Sequence, residues 1–388
     1  MSLGEQSTRG DARAHRGFMG VGESAVRLLL ALLFLYLFLV GIRALEEGIS
    51  SLGDDFVDHL FSSVANPIAG LAAGVLATVL VQSSSVTTAT IVGLVGAGVL
   101  PVAAAVPMVM GANIGTTVTN TLASLGHIRQ GAYFQRAFAA ATIHDYFNIL
   151  AVAALLPLEV AFGVITRIAT WLSEPIVGLL PGVETGDSPI KEAIKLPVSW
   201  LTDTITSRGW SSAEGPILLV IGVLLIFLSL WMITRQMKAV MSGRIENAIN
   251  GLLGKGAGMA AMLVGLVMTV AVQSSSITTS LLVPLAAAGV LTLRNAFPVT
   301  LGANVGTTVT ALLASIAADS SDALVIALAH VSFNVLGILI IYPWPRIRQI
   351  PIELAERTAR AAVRRKSIVA AYVIGLFIVL PLVILLIA

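Results

Sequence analysis

Apolar runs long enough to cross a bilayer alternate along the chain with short charged segments, and two of the runs are cut by polar words. The first run, 28–44, has Arg27 before it and Glu46, Glu47, Asp54, Asp55 and Asp58 after it. Basic before and acidic after predicts a first span with a cytoplasmic N-terminus. The next run, 67–100, opens on Asn66-Pro67 and is cut by Gln82-Ser83-Ser84-Ser85. Each half is roughly 15 residues, short of the roughly 20 that a crossing helix needs. The pattern predicts a helical hairpin that enters, turns at 82–85 and leaves on the same side; one long broken crossing helix is the alternative. Residues 101–125 read as the next span, with local unwinding expected at Gly111-Ala112-Asn113-Ile114-Gly115-Thr116-Thr117, where two glycines bracket an asparagine. His127, Arg129 and Arg136 mark a cytoplasmic turn, 137–157 returns outward, and 159–180 reads as an amphipathic interfacial helix.

The polar stretch 181–214, rich in Pro, Gly, Ser and acids, reads as an outer linker. The second half, 215–342, starts with a span at 216–234 directed inward and a basic turn carrying Arg235, Lys238, Arg244 and Lys255. A second hairpin at 257–291 follows, then spans at 295–316 and 322–342 with Asp319 and Asp322 in the outer loop between them. Segment 343–366 concentrates Arg346, Arg348, Arg357, Arg360, Arg364, Arg365 and Lys366, as expected of an amphipathic helix on a cytoplasmic face rich in anionic lipid. A last span falls within 367–388. The polar first 26 residues have no apolar centre before a small-residue cleavage site and read as a cytoplasmic tail, not a cleaved signal.

The two interrupted runs are copies of one another. At a constant offset of 191 residues, about 22 of 38 positions are identical between 82–119 and 273–310. Gln273-Ser274-Ser275-Ser276 repeats the first polar word, and Gly302-Ala303-Asn304-Val305-Gly306-Thr307-Thr308 repeats the second. After a five-residue slip, His144-Asp145-Tyr146-Phe147-Asn148 faces His330-Val331-Ser332-Phe333-Asn334. The first repeat, 27–180, starts inside and the second outside, so the repeats are inverted. The fold class expected is an all-α integral membrane protein of two inverted repeats, each with a re-entrant hairpin and a broken transmembrane helix.

Composition agrees: 56% of residues are hydrophobic, 11% are charged, and mean hydropathy is +0.93. The net charge of +2 says little about partners, because the charges lie in a few short segments outside the apolar runs, and no nucleic-acid partner is expected. Cysteine is absent, which excludes disulfides, thiolate metal sites and cysteine nucleophiles. With no metal-ligand cluster and no paired carboxylates in the centre, an enzyme is not expected, nor is a bound cofactor.

Matching interruptions in inverted repeats point to the binding site of a secondary transporter. A broken helix frees backbone N–H groups that attract anions and carbonyls that attract cations. No Lys, Arg, Asp or Glu occurs in 71–126 or 256–293, so a bound anion would take its donors from hydroxyls, amides and backbone. Serine triplets suit a compact oxyanion. Burying its charge is prohibitive unless cations accompany it, and Ser, Thr, Asn and Gln oxygens suit sodium. Asp145, His144 and His330 lie within spans; an ionisable group there is a functional candidate, although packing explains the histidines equally well.

The paired Gln-Ser-Ser-Ser and Gly-Ala-Asn-[Ile/Val]-Gly-Thr-Thr motifs, Phe138-Ala139-Ala140-Ala141-Thr142-Ile143-His144-Asp145 and Leu155-Leu156-Pro157-Leu158-Glu159 resemble the type II sodium–phosphate cotransporters over most of 28–342. The resemblance implies inward transport of phosphate coupled to sodium as co-substrate, by alternating access. Phosphate would be bound by Gln82, Ser83, Ser84, Ser85, Gln273, Ser274, Ser275 and Ser276, with Asn113 and Asn304. One sodium would lie at Gln273, Ser274, Thr307 and Thr310, and the matching first-half positions Gln82, Ser83, Thr116 and Thr119 are also assigned to sodium. Ala139, Ala141 and Asp145 match the electrogenic branch, which implies a further sodium at Asp145 and three sodium ions per divalent phosphate. Because 181–214 is short and lacks Cys and any Asn-x-Ser/Thr acceptor, a bacterial member in the inner membrane is expected. A homodimer would give the moving bundle a fixed partner. Transport of sulfate or a carboxylate, a non-transporting phosphate sensor and a channel are the competing readings.

Overall fold

The computed structural model describes residues 21–52, 64, 66–179, 189–251, 258–318 and 320–388, and among these the regular structure is helical throughout. Residues 1–20 of the expected tail, Asp54, Asp55, Asp58, residues 181–188, Lys255 and Asp319 lie outside the described residues. The helices are α1 (Val21–Ser50), α2 (Pro67–Val81), α3 (Ser84–Gly96), α4 (Val102–Gly115), α5 (Val118–Ser124), α6 (Gly131–Phe162), α7 (Val164–Leu179), α8 (Pro189–Ser207) and α9 (Glu214–Gly251). The chain continues with α10 (Gly258–Val272), α11 (Ser275–Ala287), α12 (Leu293–Ala317), α13 (Ser321–Ile341), α14 (Pro345–Arg364) and α15 (Ser367–Ile387). Among the described residues, seven stretches are long and apolar enough to cross a membrane: α1, α4 with α5, α6, most of α9, α12, α13 and α15.

Helix packing decides between hairpin and broken crossing helix. A methyl built on Gly70 would lie 3.4 Å from Ala104 O, one on Gly74 2.0 Å from Met108 O, and one on Gly115 2.7 Å from Val75 O. Numbers rise together along the contact, so α2 and α4 run parallel with their starts side by side. α3 must therefore return from the end of α2 to its beginning. The second half repeats this: Gly265 faces Val299 O at 2.0 Å, Gly302 faces Met262 O at 1.7 Å, and Gly306 faces Leu266 O at 2.8 Å, again measured from a built Cβ. α10 and α12 are thus parallel and α11 is the return arm.

Those contacts also correct the expectation that Gly111–Gly115 and Gly302–Gly306 unwind their helices. α12 runs unbroken from Leu293 to Ala317. In the first half the path only tightens at Thr116-Thr117, where both residues keep right-handed helical angles. The glycines instead let two helix backbones touch, a use of small residues spaced four apart that is common between membrane helices. The true breaks are the two Gln-Ser steps.

Two segments differ from their expected form. Residues 189–207 of the expected linker form α8, with Ile194, Val198 and Ile205 buried along one face. The chain at 159–163 belongs to the end of α6, and the amphipathic helix begins only at Val164, after Gly163 turns with φ +60°. Glu159 makes that corner: its carboxylate accepts from the N–H groups of Ile165 (2.6 Å) and Thr166 (3.2 Å) and from the Thr166 hydroxyl. This is a cap for the first-turn N–H groups of α7, which have no acceptor within the helix. The basic helix α14 buries Ile352, Ala355, Ala359 and Ala362 and packs along α6.

Candidate functional site at the two Gln-Ser-Ser-Ser turns

Each tip is built in the same way. Gln82 (φ 58°) and Gln273 (φ 56°) are the non-glycine residues with left-handed backbone among those described. That conformation costs a residue with a Cβ on the order of 1 kcal/mol or more, and the side chain of each glutamine braces it. Gln82 Nε2 donates to Val79 O (2.5 Å) and Gln273 Nε2 to Val270 O (2.7 Å). The other end of each amide is tied to the neighbouring helix: Thr119 Oγ1 donates to Gln82 Oε1 (3.2 Å), and Thr310 Oγ1 to Gln273 Oε1 (3.0 Å).

The serine after each glutamine is extended and caps the return arm. Ser83 Oγ accepts from Val86 N (3.3 Å) and Ser274 Oγ from Ile277 N (3.4 Å). The N–H groups of Ser84, Ser85, Ser275 and Ser276 have no protein acceptor among the described residues. Each tip thus presents a pair of free N–H groups at a helix N-terminus, together with serine hydroxyls. Ser84, Ser85 and Ser275 are buried; Ser276 is half-buried.

The two tips are joined through α5. Ser84 Oγ donates to Thr116 Oγ1 (2.9 Å) at the start of the tightened turn. One helical turn on, Asn120 Nδ2 donates to Thr279 Oγ1 (2.7 Å), and Thr279 in turn donates to Ser275 O (2.8 Å). Next to Asn120, Thr121 donates to Asp145 Oδ2 (3.3 Å). Hydrogen bonds and single helical turns therefore connect both tips with Asp145 of α6. Neither Asn120 nor Thr279 stood out as a site residue in the sequence. A signal existed: Asn120 and Thr121 stand where the second copy has Ala311 and Leu312.

Asn113 and Asn304 sit elsewhere. His144 Nε2 donates to Asn304 Oδ1, Asn304 Nδ2 donates to Asn148 Oδ1 (2.7 Å), and Asn148 Nδ2 donates to Asn113 O (2.6 Å). Asn113 Oδ1 accepts from His330 Nε2 (3.4 Å) and Asn334 Nδ2 (3.5 Å). This buried network crosses between the halves at four points, and both asparagines take part in it.

Three of the expected cation residues differ in how far their oxygens are used. Asp145 Oδ1 and Thr307 Oγ1 are buried with no hydrogen-bond partner, whereas Thr116 Oγ1 accepts from Ser84. A buried unpartnered oxygen costs on the order of 1–3 kcal/mol, and a hard cation satisfies one as well as a donor does. Gln273 and Thr310 also line a cavity of about 400 Å³ walled by Leu28, Leu35, Phe38 and Ile233 of α1 and α9. Gln82 is exposed.

In the described residues, seven helical spans with paired polar turns among them define a multi-pass membrane protein. The chain belongs to the Na+/Pi-cotransporter family, whose model matches residues 37–174 and 224–350. It is 31% identical over 446 residues to sodium-dependent phosphate transport protein 2A of Rattus norvegicus, covering 97% of this chain and 70% of that one. It is 33% identical over 432 residues to the 2A protein of Ovis aries (93% and 67% covered) and 32% identical over 453 residues to the 2B protein of Homo sapiens (94% and 65% covered). No solved structure matches the chain.

Proposed function

We propose that this protein imports inorganic phosphate coupled to sodium, with one phosphate held between the two Gln-Ser-Ser-Ser tips. The observation that carries the reading is the doubled tip itself: two capped helix starts with free N–H pairs, linked by the Ser84–Thr116 and Asn120–Thr279 hydrogen bonds. Helix starts and hydroxyls supply donors to the anion, and no guanidinium is needed for specificity. Sodium supplies the missing charge. It occupies Asp145, the Gln273–Thr310 region with Thr307, and the Gln82–Thr119 region with Thr116. The ions and the anion then stabilise one another's binding, and by linkage each raises the other's affinity.

Three candidate spans, an odd number, separate the first hairpin from the second. That count supports hairpins that enter from opposite sides and repeats that are inverted, with the N-terminus in the cytoplasm of a cell whose inner membrane holds the protein. Transport proceeds by alternating access, carrying three sodium ions per divalent phosphate. Asn113 and Asn304, tied into the network between the halves, hold the repeats together instead of binding phosphate.

The test is uptake of radiolabelled phosphate into proteoliposomes holding the purified protein. An inward sodium gradient is expected to drive accumulation above the outside concentration, and potassium in its place is expected to give none. Equal uptake with either cation would overturn the proposal, and stronger competition by sulfate than by phosphate would reassign the substrate.

A further inference from the structure

The last span lies outside both stretches matched by the family, yet its Tyr372 reaches the buried carboxylate of Asp145 in the first half. The Tyr372 hydroxyl donates to Asp145 Oδ2 at 2.6 Å, shorter than the 3.3 Å bond from Thr121 to the same oxygen. Both donors take Oδ2, so Oδ1 is left buried and without a partner. A carboxylate fixed through one oxygen presents the other in a set direction.

The surroundings hold that hydroxyl in place. The Tyr372 ring packs against Phe138 (5.9 Å between centroids), Tyr146 (6.2 Å) and Phe377 (6.1 Å). Phe377 would sit well round the helix from Tyr372 in a regular α-helix. Between Gly375 and Val379, however, α15 makes a π turn, whose i→i+5 pairing brings residues five apart onto one face. Phe377 is fully buried there. Below it, Tyr146 OH is hydrogen-bonded to Thr358 of α14, so the whole C-terminal segment is seated against α6 at this level.

We propose that Tyr372 is a positioning residue for the cation at Asp145: it clamps Oδ2 so that Oδ1 faces the ion, making the C-terminal helix part of the coupling machinery. This rests on the reading of Asp145 as a sodium ligand. Losing the clamp leaves Oδ2 with the longer Thr121 bond and loosens the direction in which the carboxylate points. One charge-assisted hydrogen bond corresponds to about a tenfold change in an equilibrium constant.

Tyr372→Phe removes the hydroxyl and keeps the ring stack. The expected result is a rise of about tenfold in the sodium concentration for half-maximal uptake, with the phosphate KM at saturating sodium unchanged. In an Asp145→Gly background, Tyr372→Phe should move the sodium curve no further, since the two residues act as one unit. Sodium-induced thermal stabilisation of the purified protein reads the same shift without transport, should the variant bind but not turn over. An unchanged sodium curve in Tyr372→Phe, or an equal shift with and without Asp145, overturns the inference. The two readings fail separately. If the sodium curve of Asp145→Gly is unshifted, the ligand assignment falls; if it shifts and that of Tyr372→Phe does not, only the clamp falls.

Discussion

The two tips share a backbone and differ in their side chains. In the first, Ser84 is bonded to Thr116 and Thr78 Oγ1 has no partner; in the second, Thr269 is bonded to Thr278 (2.9 Å) and Thr307 Oγ1 has none. Thr78 and Thr269 are equivalent positions, as are Thr116 and Thr307. One hydroxyl pair is thus made in each half, but a different one. Asp145 stands in the first half where the second has Val331, and Asn120 and Thr121 stand where it has Ala311 and Leu312. Gln82 is exposed, while Gln273 lines the cavity beside α1 and α9. Duplication preserved the turn and let its surroundings diverge: one half carries a buried carboxylate beside it, a charged environment, and the other a neutral one with Val331 in that place.

The largest effect should come from breaking what the halves have in common. Gly302→Leu drives a side chain into the α10 backbone, where a Cβ alone would meet Met262 O at 1.7 Å. A cost of at least about 3 kcal/mol is expected, read as loss of folded protein on size exclusion; Gly111→Leu should behave alike, since its Cβ would meet Leu71 O at 2.0 Å.

Next comes the charged environment. Asp145→Gly is expected to make transport electroneutral while leaving sodium-dependent uptake, measured as current per phosphate moved. Net current at the parent ratio would show that the first half is not the charged one.

The neutral environment should respond in the opposite sense to its counterpart. Thr307→Val removes a buried hydroxyl without a partner, so the sodium-free protein should gain about 1 kcal/mol while sodium affinity falls. Thr116→Val leaves Ser84 without an acceptor and should lose about 1 kcal/mol. Thermal melts with and without sodium separate the two.

The smallest effect on function belongs to Glu159. Glu159→Ala strips the cap from α7 and should cost about 1–2 kcal/mol of stability, with the sodium curve unmoved.

Much of this was legible in the chain. Four hydrogen-bonding residues in an apolar run mark a break because no membrane helix carries them idly, and their repetition at a fixed offset marked both tips. The hairpin reading followed from arms too short to cross. The glycine-bracketed asparagines misled, since Gly-Ala-Asn-x-Gly reads equally as an unwound segment or as a close helix contact; only the neighbouring backbone distinguishes them. The fold of 189–207 was readable from the spacing of Ile194, Val198 and Ile205, but its prolines and charges masked the stripe. Glu159 and Tyr372 were beyond reach: what each does depends on a partner brought near by folding, and 227 residues separate Tyr372 from Asp145. Asn120 and Thr121 lay between these cases, visible only where the two copies disagree.

Calorimetric titration of the purified protein with phosphate at saturating sodium decides whether the two tips make one site. One phosphate per chain, with no binding when potassium replaces sodium, is the expected result. Two phosphates per chain, or binding indifferent to the cation, would contradict it.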